Sequence, residues 1–82
     1  MTRLFTIYDL KAEFHSAPFT ARNVGEGARM FAQAVNDPST QIHKYPDDYV
    51  LYEIGAFDAD TGMVSQGERV RIGAGTDYVN QQ

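Results

Sequence analysis

The run VNDPSTQIHKYPDDYVLYEIGAFDADTG, residues 35–62, decides the fold. It closes a helix, crosses a polar connection, and passes through the most apolar strand into a tight turn. Asn36-Asp37-Pro38 stops the helix, because the residue before a proline is pushed out of the α region. Residues 39–48 read as a loop with one apolar anchor, Ile42. Tyr45-Pro46-Asp47-Asp48 is a turn, in which proline presets φ and the aspartates bond nearby backbone N–H groups. Tyr49 to Phe57 then alternates as a strand, with Val50, Tyr52, Ile54 and Ala56 on one face and Tyr49, Leu51, Glu53 and Phe57 on the other. Asp58-Ala59-Asp60-Thr61-Gly62 is a hairpin loop: a type I turn followed by a left-handed glycine.

Upstream, Asn23 is an N-cap, and Glu26 three residues later has capping-box spacing. Ala28, Phe31, Ala32 and Val35 repeat at the i, i+3, i+4, i+7 spacing of one buried helix face. Arg29, Gln33 and Glu26 fall on the wet side. Gly25 and Gly27 weaken the first turn but allow a close approach to a sheet. Residues 3–9, RLFTIYD, read as a strand with apolar groups on both faces, which expects it to be central or covered by a partner. Residues 10–17 form a connection in which Phe14 is a candidate plug. Pro18 opens a short strand, Phe19 to Arg22, where its missing N–H does least harm. Downstream, Met63 to Ser65 returns antiparallel and Gln66-Gly67-Glu68 breaks it. Arg69 to Ala74 alternates again, with Val70, Ile72 and Ala74 inward and Arg69 and Arg71 outward. The expectation is an α+β fold: a small, mostly antiparallel sheet of four to five strands with one helix packed on a face, in β-β-α-β-β order. One domain spans residues 1–82, with a polar C-terminal tail from about residue 76.

The chain has 82 residues, with seven basic against eleven acidic and no cysteine. So short a chain buries only about 60–65% of its unfolded surface. A disulfide framework and a thiolate metal site are excluded, which leaves a monomer with an efficient core, or an oligomer. A net charge of −4 argues against coating nucleic acid by bulk electrostatics, yet permits a local basic patch. The N-terminus lacks the pattern of a signal peptide, and no apolar run reaches the roughly 18 residues of a membrane span. An intracellular protein of a reducing compartment is the expectation.

No catalytic signature is present, so a non-enzymatic protein without cofactor or metal is expected. Asp58, Asp60 and Gly62 imitate part of a calcium loop, but the glycine stands where a third ligand belongs, so a hairpin turn is the better reading. Asp47 and Asp48, adjacent in a turn, are read as caps rather than an acid–base pair. His15 and His43 each stand alone, and a site needs several converging groups. Gly25-Glu26-Gly27 at the helix start lacks the order of a phosphate loop, and Glu26 would repel the anion. Phe5, Phe31, Tyr52 and Phe57 are the expected core aromatics, the rest being available for a subunit interface. Lys11, Arg22, Lys44, Tyr45, Arg69 and Arg71 are the candidate nucleic-acid contacts, because grooves for single strands mix cations with stacking aromatics. The alternative for the same cations is a solvated strand face.

F-T-I-Y-D at 5–9, A-P-F at 17–19, V-N-D-P at 35–38, Y-P-D-D-Y at 45–49 and I-G-A-F-D-A-D-T-G at 54–62 carry a resemblance. Taken in this order, they resemble the small non-structural protein of gokushovirus-type microviruses, phages with single-stranded DNA. The resemblance runs from about residue 5 to residue 63, leaving Arg69–Gln82 as this sequence's own. It implies a small DNA-binding or genome-synthesis factor. The expectation is a protein of the host cytoplasm, away from membranes, that binds single-stranded DNA or assists single-stranded genome synthesis or packaging, as a homodimer or larger oligomer whose assembly would line up weak basic patches. A protein–protein adaptor acting on a host or phage partner is the alternative. The resemblance implies no catalytic residue.

Overall fold

The computed structural model describes residues 1–79. In chain order come β1 (Thr2–Asp9), β2 (Phe14–His15), β3 (Phe19–Ala21), α1 (Val24–Val35), α2 (Gln41–Lys44), β4 (Tyr49–Phe57) and β5 (Val64–Ala74), with 3-10 turns at Pro46–Asp48 and Gly75–Tyr78. All pairings are antiparallel. The path is β2-β1-β4-β5, with β3 beside β2 on the same flank of β1. The α+β expectation holds, and β1 is central because it pairs on both sides.

α1 begins where its cap is. Asn23 Oδ1 accepts from Glu26 N at 2.8 Å, satisfying one of the N–H groups that a helix start leaves open. The reciprocal half of the capping box is displaced by one residue: Glu26 Oε1 accepts from Arg22 N at 3.0 Å, and Oε2 from Arg22 Nε at 2.9 Å. The Arg22 backbone N–H, and then its guanidinium, hold the Glu26 carboxyl below its usual range. Asn23→Ala is expected to destabilise the protein by about 1 kcal/mol, a fall of roughly 4–8 °C in Tm for a domain this small, read by circular dichroism.

The core lies between α1 and one face of the sheet. Phe5, Phe31, Val35 and Leu51 are essentially inaccessible, with Ala21 among them, and Val24, Ala28, Ile42, Ile72 and Tyr78 pack around them. Gly27 explains the close approach, since a Cβ there would stand 2.7 Å from Phe5 Cζ. The hairpin forms as its residues dictate: Gly62 has φ +76°, Gly62 N donates to Asp58 O at 2.7 Å and Asp58 N to Met63 O at 2.9 Å. Asp58 Oδ1 accepts from Asp60 N, so this aspartate builds the turn.

Several local expectations are corrected. Residues 39–48 are not a bare loop: Thr40 caps α2, its hydroxyl accepting from His43 N, and Ile42 seats that turn on the core. Gln66-Gly67-Glu68 does not break the chain into two strands. β5 runs on through it, with residues 67–69 bulged against Ile54. Val70, expected inward, is exposed. Phe14 is not a plug, being 61% exposed. The polar tail expected from about residue 76 begins with a helical turn, Gly75–Tyr78, which packs on the fold: Tyr78 meets Phe31 edge-on at 5.5 Å, and Asn36 Nδ2 donates to Tyr78 O at 2.9 Å. The rest of that expected tail, residues 80–82, lies outside the described residues.

Tyr49, on the core side of the sheet, has its phenol pushed up from its ordinary value of 10.0 by burial and then by the neighbouring Asp9 carboxylate. A group whose folded pKa is raised stabilises the fold below its unfolded pKa, and that contribution is lost as pH rises through the folded value. Stability is therefore expected to fall above about pH 10. Thermal melts of Tyr49→Phe should show a shallower decline over that range than the wild type.

Candidate nucleic-acid interface

The helices pack against the Phe5–Leu51 face and leave the other face to the strands' own side chains. Register decides who stands there, because residues directly opposite in a ladder share a face. Tyr8 pairs with His15 and Val50, and Thr6 with Tyr52. Tyr52 also faces Arg71 on β5. The second face therefore gathers Tyr8, His15, Tyr52 and Arg71.

Arg69 joins them. Its guanidinium carbon lies 4.8 Å from the centroid of the Tyr52 ring, within range of a cation–π contact. The His15 ring is 4.5 Å from Tyr8 and 6.0 Å from Tyr52, centroid to centroid. Three π systems from three strands thus form a row, closed at one end by a guanidinium. Arg69 Nη1 also lies 3.4 Å from His15 Nε2. A guanidinium only donates, so Nε2 is the accepting side of this contact. Nδ1 is buried and has no hydrogen-bond partner among the described residues. Beneath the row, the Thr6 hydroxyl donates to Ser16 O at 2.9 Å and Ser16 Oγ accepts from Ile7 N at 3.0 Å. These bonds tie the short strand β2 to β1 and set the position of His15.

The six contacts expected from sequence scatter. Arg69 and Arg71 come to the aromatic row. Lys11 sits in the β1–β2 turn, next to the Tyr8–His15 end of it. Lys44 ends α2 and Tyr45 caps it on the way to β4, at the same end of the sheet, since β4 starts opposite Asp9. Arg22 is at the other end, at the start of α1, in an exposed ion pair with Glu26 at 2.8 Å. Sequence reading missed Tyr8, His15 and Tyr52, and had placed Tyr52 in the core, whereas it is half-buried on the helix-free face. Phe57, the other expected core aromatic, is likewise only half-buried. His43 serves the fold, its Nδ1 lying 3.0 Å from Val35 O at the end of α1.

A model of the phage ORF5 protein family matches residues 2–78. The chain belongs to the phage ORF5 protein family. Neither the curated proteins nor the solved structures contain a match to it. The family match includes β5 with Arg69 and Arg71. This ORF5-family chain is therefore a bacteriophage protein whose family features span the whole sheet. Among its described residues no helix is long and apolar enough to cross a membrane.

Proposed function

We propose that this ORF5-family chain is a non-enzymatic protein of gokushovirus-type microviruses that binds single-stranded DNA on the helix-free face of its sheet. There it would assist single-stranded genome synthesis or packaging in the host cytoplasm. The observation that carries this reading is the row Tyr8–His15–Tyr52 with Arg69 stacked on its end. Rings on a sheet face offer stacking platforms to unpaired bases, and stacking tolerates any sequence because every base has a π face. Arg69 and Arg71 supply the phosphate contacts. With a net charge of −4, affinity rests on stacking and on these two local cations rather than on the field of the whole protein.

The test is anisotropy of a labelled oligo-dT titrated with protein at about 50 mM salt, where phosphate contacts are strongest. Binding is expected, with a shallow salt slope near −1.4 on a log–log plot for about two phosphates on a single strand. No binding at low salt overturns the reading. The second reading, an adaptor acting on a protein without touching nucleic acid, draws on exposed Phe14 and Met30 on the helix side. The same titration separates the two.

A further inference from the structure

The β1–β2 turn presents large apolar side chains to solvent. Phe14 is 61% and Leu10 48% exposed. The turn that carries them is tightly built. Asp9 Oδ1 accepts from Lys11 N and Ala12 N at 3.0 and 3.1 Å, Asp9 O accepts from Glu13 N, and Asp48 O accepts from Leu10 N. Glu13 takes φ +61°, a left-handed conformation that non-glycine residues seldom adopt. The next residue is Phe14. Its register partner is Asp9, which places it on the helix side of the sheet, along the same flank as Ile7.

On that flank lies an apolar notch of about 160 Å³, lined by Ile7, Phe19, Met30 and Phe31. A cavity of about 150 Å³ is enough to hold a benzene ring. Phe14 leaves this notch unfilled, and Met30 at its rim is 40% exposed. The flank is poorly suited to adding another strand, because Pro18 between β2 and β3 offers no N–H. Contact there goes through side chains.

We propose that this flank is a self-association surface, in which Phe14 of each copy enters the Ile7–Phe19–Met30–Phe31 notch of a second copy. Knob and notch occur on one flank of one chain and neither is satisfied within it, which suits a two-fold, isologous contact made twice over. No charged side chain lines the notch, so a charged ligand gains nothing from it. The charges beside the two halves are opposite: Glu13 precedes the knob and Arg29 precedes Met30. The contact also enlarges the thin apolar core of an 82-residue chain. The aromatic row on the other face stays open.

Sedimentation equilibrium of the full chain without nucleic acid tests this. The wild type is expected to show a reversible monomer–dimer equilibrium. Phe14→Glu and Met30→Lys should each weaken association at least about tenfold, as loss of a central anchor does. An equimolar mixture of the two should recover dimer, and native mass spectrometry should show it to be the mixed species, since one contact then pairs glutamate with lysine and the other is intact. Phe14→Glu should melt within a few degrees of wild type, because the side chain is exposed. Val64→Glu, on the far edge strand, should leave association unchanged. The proposal is overturned by a wild type that stays monomeric, by a dimer indifferent to Phe14→Glu, by a dimer broken by Val64→Glu instead, or by folded variants whose mixture fails to pair.

Discussion

Gly27→Val is expected to lower stability by about 2–3 kcal/mol, the cost of forcing extra carbon into a filled core. Gly25→Ala, two residues away on the same helix, is expected to raise it by about 0.5–1 kcal/mol. Helix propensity alone predicts gains or small changes at both. Packing reverses the sign at Gly27, where an added Cβ would lie within 3 Å of three Phe5 ring carbons. Phe5 has no accessible surface and stacks on Phe19 at 5.7 Å, so its ring has nowhere to go. At Gly25 the nearest atom to an added Cβ is Asn23 Oδ1, at an ordinary 3.4 Å. Urea denaturation of both variants reads the two signs. Equal effects would mean that α1 does not press on Phe5 as described.

The second large effect concerns the aromatic row. Tyr52→Ala is expected to weaken oligo-dT binding by about 1–3 kcal/mol, the usual worth of a stacking side chain, or roughly 5- to 150-fold in Kd. Arg69→Ala should cost less affinity at low salt and flatten the salt slope by about 0.7, the share of one phosphate on a single strand. Arg22→Ala should leave binding unchanged, because that guanidinium is paired with Glu26 at the far end of the sheet. Anisotropy titrations at several salt concentrations distinguish all three. A Tyr52→Ala variant that binds as the wild type does would remove Tyr52 from the interface.

What the sequence disclosed of the fold was what local chemistry controls. Asn23 and the Asn36-Asp37-Pro38 stop delimited α1 because caps and prolines act on their own turn. Tyr49–Phe57 and the Asp58–Gly62 turn were legible for the same reason. The β1–β2 pairing was not, since a strand of two residues leaves no period to read. The bulges were not legible either: Ile54 has no partner on β1, and residues 67–69 face it from β5. Val70 keeps the face that alternation gave it, opposite Glu53 on the helix side, yet it stays exposed, because alternation assigns a face and not what covers it. The aromatic row was illegible for a different reason. Tyr8, His15, Tyr52 and Arg69 meet across β2, β1, β4 and β5, up to 61 positions apart, and only the strand order unites them. The one signal available was Arg69 and Arg71 at a spacing of two, which pointed to the correct face of β5.

The central claim is that nucleic acid lies on the helix-free face. An NMR titration of isotope-labelled protein with oligo-dT at low salt tests it most directly. Resonances of Tyr8, His15, Tyr52, Arg69 and Arg71 are predicted to shift together and saturate, with Phe14, Met30 and the α1 backbone unmoved. Shifts confined to Phe14, Met30 and the notch beside them, or no shift at all, would contradict the account.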